Sequence, residues 1–301
     1  FFLASCPKGR DLIFSDNILK SKITTLGWNQ PVRTEGPYKG MSPLYFFTSC
    51  SKHRYLLTGY SALMSKINAE GLNRHIADSS YELYSPLYWL STFSQGRKFL
   101  IDNSELMLKE GLNQIVTTEG PNQGKSPIYF LALSDEGREF LRESDQSFLD
   151  KITSQGLNQQ VTAQGNDQGK SALYWLTAFP KGIQCLINRN TLIDKITPKA
   201  MLEPISYGPD KGKSPIYHLT SNENGIDLLK SSDALRDMIS PEVFNQALTT
   251  AGPLDGKSPL FCLANHLNGK KLLKMDSTLT DKITIEGLNQ PVMDGFDRGK
   301  S

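Results

Sequence analysis

Ser126-Pro127-Ile128-Tyr129-Phe130-Leu131-Ala132-Leu133 is a stretch whose opening recurs along the whole chain. It returns as Ser42-Pro43-Leu44-Tyr45, Ser85-Pro86-Leu87-Tyr88, Ser171-Ala172-Leu173-Tyr174, Ser214-Pro215-Ile216-Tyr217 and Ser258-Pro259-Leu260-Phe261, and Ser301 stands at the next anchor position. Successive anchors are 43, 41, 45, 43, 44 and 43 residues apart, so a unit of about 43 residues accounts for the chain as seven periods. Phe1-Phe2-Leu3-Ala4 aligns with Tyr129-Phe130-Leu131-Ala132, so both ends are expected to fall inside a repeat of a longer protein.

Each anchor reads as a helix start. A serine hydroxyl can accept from an orphan backbone N–H, and proline in the next position needs no donor and is pre-shaped for the first turn. A recurring glycine follows (Gly9, Gly96, Gly137, Gly182, Gly225 and Gly269, with His53 in its place once) and marks a turn into a second helix. A third helical segment carries Leu63/Ile67, Leu192/Ile196, Leu235/Ile239 and Leu279/Ile283 four residues apart, on one face. Thr197-Pro198 and Ser240-Pro241-Glu242 look like one more helix start, and Gly287-Leu288-Asn289-Gln290-Pro291-Val292 and its kin read as a short turn. The Gly/Pro/Asn-rich stretch Thr118 to Gly124 is expected as an exposed finger loop. A unit this small cannot bury its apolar faces alone, so the units are expected to stack as an all-α solenoid, one domain over residues 1–301.

Composition bounds the function. Among 301 residues, 33 Lys plus Arg meet 31 Asp plus Glu, and a net charge of +2 provides no field to gather polyphosphate or a membrane surface, so nucleic acid is not the expected partner. No run of 18 apolar residues occurs, and no membrane segment is expected. Cys6, Cys50, Cys185 and Cys262 are too sparse for a zinc site or a disulfide scaffold, which points to free thiols in a reducing, cytosolic compartment. His53, His75, His218 and His266 form no pair at metal-ligand spacing and are expected in packing or surface roles, with no metal and no cofactor.

Gly124-Lys125-Ser126-Pro127-Ile128-Tyr129, with copies at Gly169, Gly212 and Gly256, resembles the Gly-x-Thr-Pro-Leu-His opening of an ankyrin repeat, and Glu70-Gly71-Leu72-Asn73, Glu110-Gly111-Leu112-Asn113 and Glu286-Gly287-Leu288-Asn289 resemble that family's exit into its finger. The unit is about ten residues longer than the family's, and Tyr or Phe replaces its His. Over-long, divergent units of this kind look similar to those of effectors that intracellular bacteria deliver into host cells. The resemblance implies ankyrin-like repeats, a binding scaffold for a partner protein, no catalysis by the repeats, and a location in the cytosol, including that of a host.

Several patterns resemble chemical motifs. Gly120-Pro-Asn-Gln-Gly124-Lys125-Ser126 looks like a phosphate loop, but it has three residues between the glycines where four are needed, and it recurs too often, so it reads as repeat-turn chemistry. Lys125, Lys170, Lys213, Lys257 and Lys300 are either solvated turn residues or an anion-binding stripe, and the stripe would suit a single-stranded RNA reader as the alternative function. Asp150-Lys151, Asp194-Lys195 and Asp281-Lys282 are expected to decorate an exposed helix. No nucleophile–base pair or acid–base carboxylate pair stands out, so the chain is not expected to be an enzyme, and the regularity argues against a barrel hydrolase.

The candidate partner-binding residues are a column one step past the anchor aromatic, Phe2, Phe46, Trp89, Phe130, Trp175, His218 and Cys262, rimmed by finger residues Tyr38, Tyr81, Asn122, Asn166, Tyr207, Leu254 and Phe296. The column has two readings: packing beneath the fingers, or an aromatic ladder open to a partner, since aromatics give large contact area at low entropy cost.

Overall fold

In a computed structural model, residues 1–76, 84–187, 189–248 and 256–291 are described. They are all helix, turn and loop, with no strand among them. The chain divides into two compact units, Phe1–Phe140 with Gln146–Gly156, and Leu141–Asp145 with Leu157–Ser301.

In the first unit the anchor helices are Phe2–Ser5, Pro43–Ser49, Pro86–Ser91 and Pro127–Leu133, each packed on the next. The second helices Pro7–Ser15, Ser51–Thr58 and Ser94–Asp102 form a parallel series, as do the short fourth helices Thr25–Asn29, Ala69–Asn73 and Lys109–Leu112. The second unit repeats the scheme with anchor helices Ala172–Ala178, Pro215–Thr220 and Pro259–Asn265, and second helices Pro180–Leu186, Glu223–Ser231 and Leu267–Met275. Anchor residues Leu44, Leu87 and Ile128 of the first unit and Leu173, Ile216 and Leu260 of the second are all buried.

The anchor serines cap as their position requires. Ser42, Ser85, Ser126, Ser171, Ser214 and Ser258 each accept from the amide three residues on, at 3.1–3.4 Å. The recurring glycine marks a close crossing. A Cβ on Gly137 would stand 2.2 Å from the Leu131 carbonyl oxygen, and one on Gly225 would stand 2.3 Å from that of Leu219, so the second helix packs against the backbone end of the first at a distance only glycine permits. The arginine after this glycine then caps the first helix: Arg10 donates to Ala4 O at 2.6 Å, Arg97 to Ser91 O at 3.2 Å and Arg138 to Ala132 O at 2.8 Å.

One expectation is corrected. Gly-Leu-Asn lies within the fourth helix, as in Ala69–Asn73 and Ile285–Asn289, and is not a turn leading out of it. The fourth helix forms because Asn68 or Thr284 caps it and because its asparagine has buried work to do, described below.

Candidate functional site

The fingers are built to one plan. Val116 donates to Lys125 O at 3.0 Å and Gly124 donates back to Val116 O at 2.8 Å; Val161 with Lys170 and Gly169, and Ile205 with Lys213 and Gly212, repeat the pair. Gly124, Gly169 and Gly212 sit at φ 88°, 83° and 86°, the left-handed region, so the Gly-Lys-Ser signature is a loop-closing device. Above this constant base the tips differ. Tyr38 and Tyr207 are 45% and 56% exposed, Asn166 is exposed and Asn122 half-buried. Tyr81, Leu254 and Phe296 lie outside the described residues.

The aromatic column is interleaved with the anchor tyrosines. Phe130 meets Tyr129 at 5.5 Å and Tyr88 at 5.4 Å edge-on, and His218 meets Tyr174 at 4.9 Å. Phe46 and Phe130 are each only 9% exposed, Phe46 lying under Tyr38 at 5.7 Å, and Cys262 is buried in contact with Tyr217 and Leu248. Trp89 and Trp175 are half-buried. Tyr84 stacks on Trp89 at 4.7 Å, and the Lys170 ammonium lies 4.7 Å from the Trp175 ring centre. Phe2 is fully turned outward.

Among the described residues the lysine edge is no uniform stripe: Lys170 is buried, and Lys125, Lys213 and Lys257 are half-buried. Lys170 is buried and bonds Asp210 at 2.7 Å, Lys213 bonds the same carboxylate at 2.8 Å, and Lys125 and Lys257 lie over the Tyr129 and Phe261 rings. Burial pushes the Asp210 carboxyl up, but hydrogen bonds from Lys170 and Lys213 outweigh it and bring it down to about 2. Lys300 lies outside the described residues.

Beside this cluster sits His218, whose Nε2 is closed off from solvent and has no hydrogen-bond partner. Burial first, then the Lys213 cation, push its pKa from 6.5 down to about 4, against a smaller pull from Asp210. The fold therefore carries a neutral imidazole. An unfolded chain takes up the proton first, so the stabilisation present above pH 6.5 is lost as pH falls from 6.5 towards about 4. The expected loss is up to about 3 kcal/mol. Urea unfolding of the wild type and His218→Gln at about pH 7 and about pH 4.5 checks this: the wild type should lose more stability than the variant, and equal losses would refute it.

The residues that sequence reasoning missed are the fourth-helix asparagines. Asn73 Nδ2 donates to Ala69 O at 2.7 Å in its own helix and to Leu106 O at 2.6 Å in the next repeat, while its Oδ1 accepts from Leu108 N at 3.0 Å. Asn29, Asn113 and Asn245 make the same set. The next repeat's glycine makes room for each: a Cβ on Gly71, Gly111, Gly156 or Gly287 would stand 2.0–2.2 Å from that Oδ1. The signal was in the sequence as an exception. Leu202 replaces the asparagine in one repeat and Val243 stands where glycine is expected in the next, while Asn158 keeps its bonds to the following repeat with Ala200 at the glycine position. The Asp-Lys pairs are corrected in the same way: Lys151 Nζ reaches back to Met107 O at 2.9 Å and Lys282 Nζ to Arg236 O at 2.6 Å, so these lysines stitch repeats together and are not surface decoration.

None of the four cysteines is in a disulfide. Among the described residues no group of three or more His, Cys, Asp or Glu is placed to hold a metal ion, and no helix is long and apolar enough to cross a membrane. Compared with family models, curated proteins and solved structures, the chain gives no match in any of the three.

Proposed function

We propose that the chain is an ankyrin-like α-solenoid that serves as a protein-binding scaffold, taking a partner protein on its finger tips and on the half-buried tryptophans beside them. The observation that carries this reading is the contrast within each described finger: a base closed by the same pair of backbone bonds, under tips that are Tyr38, Asn122, Asn166 and Tyr207. A rigid frame with variable, solvent-facing ends spends little entropy on ordering when it binds. Partner contacts centre on Trp89 and Trp175, which keep exposed edges, and on Tyr38 and Tyr207; Phe46 and Phe130 support them from below. The repeats do no catalysis in this proposal, and their placement in an effector-like protein acting in host cytosol rests on the sequence resemblance alone.

Single-stranded RNA is the weaker reading, because Lys170 is committed to Asp210 and its neighbours lie over aromatic rings. The test is Trp89→Ala and Trp175→Ala, each measured for denaturant stability and for cross-linking to proteins of a cell extract, with filter binding to mixed oligonucleotides alongside. Lost cross-linking at unchanged stability is the expected result. A stability loss of about 3 kcal/mol or more would make the rings core residues, and retained oligonucleotide binding at moderate salt would favour RNA.

A further inference from the structure

The junctions between repeats are closed by parts that differ on the two sides. At the first of them Asn29 Nδ2 donates to Lys66 O at 2.7 Å, its Oδ1 accepts from Asn68 N at 3.2 Å, and Gly71 leaves room for that oxygen. A lysine crosses in the other direction: Lys66 Nζ donates to Lys20 O at 2.9 Å, as Lys282 Nζ does to Arg236 O at 2.6 Å. Such a repeat therefore has two unlike faces. One offers an asparagine and a backbone carbonyl; the other offers a glycine, a backbone amide with its neighbouring carbonyl, and a lysine.

Two faces of this kind keep their parts unused. Asn289 Nδ2 donates to Ile285 O at 2.7 Å inside its own helix and, among the described residues, to no other group. Gly27 is exposed, and a Cβ there would meet only Thr24 Oγ1 of its own helix cap, at 3.2 Å. Lys22, the counterpart of Lys66, is exposed as well.

The apolar residues of the same two faces are open to match. Leu288 is 55% exposed, whereas its counterparts Leu72, Leu112, Leu157, Met201 and Phe244 are all 0% exposed. Leu3 is 41% exposed, whereas its counterparts in the later anchor helices, from Phe47 to Leu263, are 0–1% exposed. Leu3 borders a groove that Ile13, Leu19, Ile23, Gly27 and Trp28 also line. Apolar surface left open in this way marks a place where another surface fits.

We propose that the face carrying Leu288 and Asn289 docks on the face carrying Leu3 and Gly27 of a second copy of this chain. The contact continues the junction chemistry of the repeats. Asn289 Nδ2 donates to Lys22 O and its Oδ1 accepts from Thr24 N, with Gly27 giving the room, while Lys22 Nζ reaches the Thr280 carbonyl. Leu288 and Leu3 lose their exposure in the same step. Like faces do not pair, because Asn289 would then meet Asn289 and its amide would find no slot. The association is therefore head-to-tail, and each copy added leaves one face of each kind open.

The test is the mass of the intact chain by light scattering across a dilution series, for the wild type and two variants at exposed positions. The wild type is expected to associate as its concentration rises. Gly27→Val fills the slot on one face and Asn289→Leu removes the asparagine from the other, and the chain already accepts these residues at the matching places as Val243 and Leu202. Each variant alone should associate at least about tenfold more weakly. Mixed one to one they should recover a contact, since the Asn289 face of one variant meets the Gly27 face of the other, and the mass should stop at two chains. Lys22→Met, also at an exposed position, takes the place of Gly27→Val if valine disturbs the Thr24 cap. A wild type that stays monomeric throughout, variants that associate as the wild type does, or a mixture no heavier than its parts would overturn the proposal. So would an association that one variant abolishes and the other leaves intact, the mark of like faces pairing.

Discussion

Gly137→Ala is expected to destabilise the protein by about 3 kcal/mol, at the upper end for overpacking a single methyl group. The added carbon would stand 2.2 Å from Leu131 O and 2.7 Å from both the carbonyl carbon and Cα of Leu131. All three neighbours are backbone atoms in the anchor helix, so no rotamer change can make room, and two helices must part along a seam that includes Ile128 and Tyr129, both 1% exposed. An exposed glycine in a helix would behave in the opposite way, since alanine is the better helix former. Guanidinium unfolding checks the sign and the size. A loss below about 1 kcal/mol would mean that the crossing opens freely, as it must have done to admit His53.

The second large effect is one of coupling. Asn73→Leu removes the partner of Ala69 O, Leu106 O and Leu108 N together, and leaving these part-buried groups unpaired should cost about 2 kcal/mol. Gly111→Val should also be costly alone, because its Cβ would lie 2.1 Å from Asn73 Oδ1. The double variant is expected to be more stable than the sum of the two predicts, by about 1 kcal/mol or more. The chain already contains that combination in Leu202 and Val243, which line one cavity of the second unit. A double-mutant cycle by urea unfolding gives the answer, and strict additivity would show that the asparagine and the glycine do not read each other.

The sequence made the helical content and the serine caps legible because both depend on residues within three or four positions of each other. Ser126, Pro127 and Gly137 announce their roles locally. Asn73 does not: its partners Leu106 and Leu108 lie 33 and 35 residues away, and beside Gly71 it resembles ordinary turn chemistry. Lys151 was misread for the same reason, since its ammonium goes to Met107, 44 residues back. His53 was visible as the exception in the glycine column, but only the stacking of one repeat on another brings Arg10 and Asp11 to its two nitrogens. The candidate column was legible as a column, whereas its depth was not. Phe46 and Phe130 lie beneath neighbours whose position depends on the finger above and the helix alongside.

The asparagine-to-glycine contact also governs how such a gene can lengthen or shorten. Each repeat presents one chemistry to the unit before it and another to the unit after, and a small residue, glycine or Ala200, stands at the position opposite each of Asn29, Asn73, Asn113, Asn158 and Asn245. Excising the repeat that carries Leu202 would bring Asn158 against Val243, a polar side chain against a branched one with no slot for it. Excising that repeat together with the next would bring Asn158 against Gly287, a junction of the kind found elsewhere in the chain. A deletion that removes Leu202 but keeps Val243 therefore sets a branched side chain against an asparagine, whereas one that removes both repeats does not.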